Sequence, residues 1–224
     1  MAGRLLERLR ASRSGVAMTE FALAAPFVLG TALFGVETAM LTVTHMQVNA
    51  VTTQIADNAS RIGDFSMLEN RKIYESDIND LLLGAQVHLG MKLNLYENGR
   101  VIVSSLETRP DIPQTRQWLH WQRCKGKKVW PSSYGNAGDG YNNGSFGGMG
   151  PTGNKVKAQK GDAVMFVEVA YDYEPLFSEM FIKDKTIKAY AAYTVRSDRD
   201  LTQIYQRDDL APDPVQTCDK NDAF

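Results

Sequence analysis

The side chains best able to do chemistry in this 224-residue chain are not grouped into a catalytic set. His45, His88 and His120 lie far apart, and the sequence has no H-E-x-x-H, G-x-S-x-G or Walker pattern. The stretch Gly148-Met-Gly-Pro-Thr-Gly153 formally matches a dinucleotide fingerprint, but no strand pattern precedes it and a proline interrupts it. We therefore predict a protein that is not an enzyme and that uses no cofactor, metal or small-molecule substrate.

The two cysteines, Cys124 and Cys218, offer one other kind of chemistry. Two thiols cannot complete a structural zinc site, and no histidine stands at zinc-finger spacing from either of them. If this part of the chain lies in an oxidising compartment, a disulfide bond between them is favoured. Two free thiols are the alternative.

Glu20 is the most unusual carboxylate, because it stands at the threshold of an apolar run. No charged residue occurs from Phe21 to Val36, and the 21 residues that begin at Val16 would form a helix of about 32 Å. This length is enough to span a bilayer. Pro26 should kink the helix, which a membrane helix tolerates when its neighbours satisfy the freed carbonyl.

The charge pattern orients this predicted span. Before Gly15 there are four arginines against one glutamate, so the positive-inside rule places the N-terminus in the cytoplasm. A cleaved secretory signal peptide is the alternative, since it also has a basic start and an apolar centre. The whole chain has a formal net charge of −1 without a basic face, which argues against nucleic acid as a partner.

Four residues at the threshold, Gly15, Val16, Glu20 and Phe21, together resemble a type IV prepilin processing site. In that family a membrane peptidase on the cytoplasmic side cuts after the glycine, and the fifth residue of the mature chain is glutamate. That carboxylate can pair with the new N-terminal ammonium of a neighbouring subunit, and pairing makes a buried charge tolerable. The alternative is that Glu20 only lies at the level of the lipid headgroups.

Two longer blocks resemble TadE-like proteins, the minor pseudopilins of tight-adherence (Flp) pilus systems. They are EFALAAPFVLGTALFGVE, residues 20–37, and VEVAYDYEPLF, residues 167–177. The resemblance implies a structural and assembly protein with an inner-membrane anchor and a periplasmic or extracellular head. Its partners would be the prepilin peptidase, other pilins and pseudopilins, and the inner membrane. A permanently anchored periplasmic binding or adaptor module, which is never processed, is the alternative.

The remaining pattern predicts an α+β fold in which one long helix, residues 16–62, packs on an antiparallel sheet, as in pilins. We predict a basic leader (1–15), a transmembrane helix (16–43) and a head (44–224) that contains a mobile glycine-rich surface loop (135–153). Glu37, at the outer membrane boundary, is expected to stay hydrated. Further elements are predicted as follows: a capping box at Ser66 and Glu69, a second helix around residues 73–82, a hairpin turning at Asn98-Gly99, and strands at 117–125, 163–173 and 186–196.

Overall fold

The computed structural model describes Glu7 and residues 14–64, 70–87, 93–112, 116–141, 144–177 and 182–224. The described residues form a long apolar helix, two short helices and four strands, which confirms the α+β class. The elements are α1 Ser14–Ala59, α2 Glu75–Ala85, α3 Leu95–Asn98, β1 Gly99–Thr108, β2 Gln117–Lys125, β3 Ala163–Asp172 and β4 Thr186–Thr194. The chain divides into two compact units, one formed by Met1–Val43 with Glu174–Lys183 and the other by Thr44–Tyr173 with Asp184–Phe224.

The sheet of the second unit is antiparallel throughout, in the order β2-β1-β3-β4. Strands β1 and β3 are buried along almost their whole length, so both faces of the sheet are covered. One face carries a cluster of fully or nearly fully buried side chains: Leu106, Leu119, Met149, Ala158, Val164 and Phe166. On the opposite face, Arg123 of β2 forms an ion pair with Glu75, which places α2 beside this face.

The last turns of α1 belong to the second unit and supply part of its core. Val48, Val51 and Ile55 recur at helical spacing and are buried, as the apolar periodicity predicts. The helix ends three residues earlier than predicted, at Ala59. The guanidinium of Arg199 donates from Nη2 to the carbonyls of Ala59 (3.2 Å) and Ile62 (2.7 Å), and these bonds satisfy acceptors that the helix end leaves open.

The predicted capping box at Ser66 and Glu69 lies outside the described residues. The second helix itself is confirmed, although its N-terminus is at Glu75 rather than near Ile73. Its capping carboxylate is Asp77, whose Oδ2 accepts a hydrogen bond of 3.0 Å from the backbone N–H of Tyr74.

The hairpin predicted at Asn98-Gly99 is wrong. Asn94 adopts a left-handed conformation with φ 48°, and the next four residues form α3 rather than a strand. Leu95 and Tyr96 are both buried, and the Tyr96 hydroxyl donates to the Leu82 carbonyl at 2.7 Å, so tertiary burial overrides the local alternation. Gly99 is the first residue of β1 and not part of a turn. Glycine is needed at this position because a Cβ would lie 2.6 Å from the Leu95 carbonyl oxygen.

Within the glycine-rich segment, residues 148–150 are buried, whereas most of its other described residues are exposed or half-buried. Met149 is fully buried in the core cluster, and it exchanges backbone hydrogen bonds with Val156 at 3.2 and 2.8 Å. Gly148 is required because a Cβ would lie 2.2 Å from the Val156 carbonyl oxygen. The Gly148–Gly153 spacing therefore serves a tight turn on the sheet.

The buried carboxyl group of Glu168, in β3, should make the stability of the protein depend on pH. Its side chain is 1% exposed, and its carboxylate accepts hydrogen bonds from the Ser132 hydroxyl and, at 2.9 Å, from the Ser133 N–H. Burial raises the pKa of Glu168 above its ordinary value of 4.5, against the opposing effect of those two hydrogen bonds. The folded state therefore binds this proton more tightly than the unfolded state does, and the resulting stability is lost as pH rises through the folded pKa.

We expect the wild-type protein to lose stability, relative to Glu168→Gln, as pH rises from 4 towards 7. The glutamine has a similar shape but does not titrate, so the difference between the two unfolding free energies isolates this group. Denaturant titrations of the detergent-solubilised proteins, followed by circular dichroism across this pH range, would measure it. A difference that is constant with pH would contradict the assignment.

Candidate functional site

The first 30 residues of α1 expose an almost continuous apolar surface. Phe21, Leu23 and Phe27 are 69 to 77% exposed, although solvent-exposed apolar surface of this extent is rare in soluble monomers. Within the described residues, this is the one helix long and apolar enough to cross a membrane. The apolar helix thus needs lipid or other protein helices around it.

Three threonine hydroxyls in this stretch are satisfied locally. The hydroxyls of Thr31, Thr38 and Thr42 each donate to the backbone carbonyl four residues earlier, at 2.8 to 2.9 Å. Such bonds give these three hydroxyl donors a partner that does not depend on water. Pro26 lies inside the helix, as predicted.

The four predicted processing residues lie together at the N-terminal end of α1. Gly15 and Val16 are in its first turn, so the peptide bond between them is at the very start of the helix. Glu20 and Phe21 follow about one turn later, and all four residues are exposed. A Cβ added at Gly15 would meet no atom within 4 Å, so nothing in the fold requires glycine there.

Glu20 lies four residues after Val16, so the two side chains share one face of the helix. An exposed carboxylate on an apolar helix can pair with a cation from a neighbouring helix. The geometry within one chain therefore presents the carboxylate outward, where another subunit could reach it.

Glu37 is the residue whose environment sequence reasoning did not predict. The prediction that it stays hydrated is wrong, since its residue is 0% exposed. Its carboxylate accepts hydrogen bonds from the backbone N–H of Leu176, at 3.1 and 3.2 Å to its two oxygens, and from that of Phe177 at 3.1 Å. The carboxylate thus holds segment 174–177 against α1 within the first unit.

Burial of a carboxylate is tolerable here because donors point at both of its oxygens. The signal that could have revealed this contact lies in the two blocks that carry the family resemblance. The first block ends at Glu37 and the second ends at Leu176-Phe177, and these end residues are hydrogen-bonded to each other.

A disulfide bond joins Cys124, in β2, to Cys218, with Cα atoms 4.8 Å apart and a sequence separation of 94. Strand β2 is an edge strand, and the C-terminal tail lies along it. The N–H of Cys124 donates to the Gln216 carbonyl, and that of Gly126 donates to the Asp222 carbonyl, both at 2.8 Å. The tail therefore covers backbone donors that an open edge would expose.

Arg100 of β1 binds the same tail through hydrogen bonds. It is 2% exposed, and its guanidinium donates to the carbonyls of Cys218 (2.6 Å) and Lys220 (3.0 Å) and to the Asn221 side chain (2.7 Å). Burial lowers the pKa of Arg100, and the nearby carboxylate of Asp222 opposes this shift. The tail is thus bound to the edge of the sheet by the disulfide bond and by these hydrogen bonds.

A cleft of about 910 Å³ opens at the other end of the sheet. It contains His120, whose Nδ1 lies 3.0 Å from Glu107, and the ring of Trp118 stacks on this imidazole at 4.3 Å. The Ser105 hydroxyl donates to the same carboxylate at 2.6 Å rather than to the imidazole. Of the three tryptophans, Trp121 is buried in β2.

The cleft is lined by three basic and three acidic side chains besides His120. Its charged residues are Glu107, Arg109, Asp111, Lys160, Arg199 and Asp200. Arg109 pairs with Asp111, and burial lowers the pKa of Arg199 to about 10. Among the described residues, no group of three or more metal-binding side chains is present.

Neither a family model nor a curated protein nor a solved structure matches this chain. The resemblance to TadE-like pseudopilins therefore depends on the two blocks and the processing residues themselves.

Proposed function

We propose that this protein is a minor pilin-like structural and assembly protein of a tight-adherence (Flp) pilus. The observation that carries the proposal is the arrangement at the start of α1. There, a glycine in the first turn is followed five residues later by an exposed glutamate, at the head of an exposed apolar helix. A basic leader precedes this arrangement and an α+β unit follows it.

In the proposed mechanism the chain inserts into the inner membrane with its N-terminus in the cytoplasm. The prepilin peptidase cuts between Gly15 and Val16, which creates a new ammonium group at Val16. Glu20 then pairs with the ammonium of an adjacent subunit as the apolar helices associate, because both charges leave water together. The head, in the periplasm or outside the cell, supplies the contacts with other pilins and pseudopilins.

The disulfide bond favours this placement of the head. Disulfides persist in the periplasm and outside the cell and are rare in the cytoplasm of mesophiles. The second candidate, a permanently anchored periplasmic module, shares that compartment and the anchor. The two candidates differ in whether residues 1–15 are removed.

Cleavage is tested by Gly15→Leu. We expect the wild-type protein to begin at Val16 and the variant to keep Met1, because the leucine side chain obstructs the approach of the peptide to the peptidase. The helix itself should be unaffected, since the structure leaves open space around Gly15. The measurement is the intact mass of the protein from membranes of cells with and without the peptidase.

Gly30→Leu is the matched control. Gly30 also lies in α1 with no atom within 4 Å of an added Cβ, so this variant should be inserted and cleaved like the wild type. Wild-type protein that retains Met1 in the presence of the active peptidase would favour the permanently anchored module.

A further inference from the structure

We propose that Leu176 and Phe177 insert into the outer interfacial layer of the membrane, as a second apolar anchor that Glu37 holds against α1. The occupant of this surface is lipid, at the boundary between headgroups and acyl chains. The inference requires that α1 spans a bilayer, and it is independent of cleavage, pairing through Glu20 and pilus assembly.

The level of the segment follows from the length of the helix. From Val16 to Glu37 the helix rises about 32 Å, close to the ~30 Å thickness of the hydrocarbon core. Glu37 therefore lies at the far boundary of that core. The Cα–Cβ bonds of a helix tilt towards its N-terminus, so a group held by this side chain lies at the level of Glu37 or deeper.

The segment is suited to this layer by its exposed side chains. Leu176 is 57% exposed and Phe177 48% exposed, although both have their backbone N–H groups tied to the buried carboxylate. Around Glu37, α1 also exposes apolar side chains, among them Phe34 and Val36. The two exposed apolar surfaces belong to the same compact unit.

The backbone of the segment has few N–H groups that would need water as a partner. A loop in this layer is costly when its N–H groups lack partners. Pro175 has no N–H, and the next two N–H groups donate to Glu37 at 3.1 to 3.2 Å. Glu37 thus removes the donors whose desolvation would otherwise keep Leu176 and Phe177 in water.

The charged residues at the two ends of the segment mark where it returns to water. Glu174 and Lys183 are both exposed. A lysine at such a boundary can place its stem along apolar surface and its ammonium among the headgroups. Residues 178–181 lie outside the described part of the chain and carry no step of this argument.

Nitroxide labels at single introduced cysteines test the proposal. The native cysteines are tied in a disulfide, so without reductant only the new thiol reacts. Leu176→Cys is compared with Leu29→Cys, within the apolar helix, and with Val129→Cys, at an exposed apolar residue of the other unit. The full chain is reconstituted in phosphatidylcholine nanodiscs with one copy per disc, and collisions with oxygen and with a water-soluble nickel chelate are measured.

The ratio of oxygen to nickel accessibility at position 176 should lie closer to that at 29 than to that at 129. Adding Glu37→Ala should move position 176 towards the aqueous value and leave position 29 unchanged. A lipid-like value at 29 with an aqueous value at 176 would overturn the proposal while leaving the membrane span intact. Aqueous values at both positions would overturn it together with the span.

A neighbouring copy of the chain is the competing occupant. It would shield position 176 from both reagents in discs that hold several copies and expose it to the nickel reagent in discs with one. That result would replace lipid by a protein partner. A Glu37→Ala variant in which position 176 stays lipid-like would show that the carboxylate does not position the segment.

Discussion

Glu20→Ala should abolish assembly of this protein into pili while leaving its membrane insertion and its cleavage after Gly15 largely intact. Removal of the charge makes the helix more apolar, so insertion is not impaired. In the assembled bundle, however, the ammonium of Val16 in the adjacent subunit loses its partner. Breaking a buried charge pair by removing one member costs about 3 to 5 kcal/mol.

Glu20→Asp should be intermediate, because the shorter side chain keeps the charge but reaches the partner less well. The measurement is the yield of pili released by shearing, together with the co-isolation of this protein with other pilus components. Normal pili from Glu20→Ala cells, with the variant processed and stable, would contradict the pairing. Glu20 would then be a residue that only lies at the headgroup level.

The choice of control for this experiment follows from the structure. Glu37 is unsuitable, because it is buried and holds residues 176 and 177. Glu97→Ala is better matched, since that side chain is 52% exposed and makes only a surface ion pair with Lys127. Exposed pairs of this kind contribute little to stability, so its pili should be normal.

Cys124→Ser should lower the free energy of unfolding by about 2 to 5 kcal/mol, the usual range for loss of a native disulfide. The bond closes a long loop, and it also keeps the C-terminal tail over the open edge of β2. Without it the tail can detach, and the buried guanidinium of Arg100 then loses its acceptors at Cys218 and Lys220 and keeps only the Gly126 carbonyl. Urea unfolding of the oxidised wild type and the variant in detergent would measure the difference.

A double variant provides the internal control. Cys124→Ser and Cys218→Ser remove the same bond, so the double variant should lose no more stability than either single variant does. Thiol trapping of protein from cells should label neither cysteine until reductant is added. Labelled thiols in unreduced protein, or two additive losses of stability, would contradict the disulfide as the source of the effect.

Local periodicity was sufficient to predict most of the regular elements of this protein, although it missed α3. The uncharged stretch after Glu20 and the apolar repeat at Val48, Val51 and Ile55 predicted α1, and the period of two predicted β2 with the bounds that the structure shows. These signals are local because a helix or strand repeats its buried face at a fixed spacing. The cysteine pairing also followed from the sequence, since only two cysteines are present.

Only the tertiary structure decided what the irregular segments do. The alternation before Asn98-Gly99 is compatible with a strand, yet burial of Leu95 and Tyr96 makes this stretch a helical turn. The contact between Glu37 and Leu176 joins residues 139 positions apart in the sequence. Local periodicity carries no information about contacts between residues so far apart. A charge at the end of an apolar run is stable in water or against backbone donors, and folding alone selects between the two by bringing the donors to it.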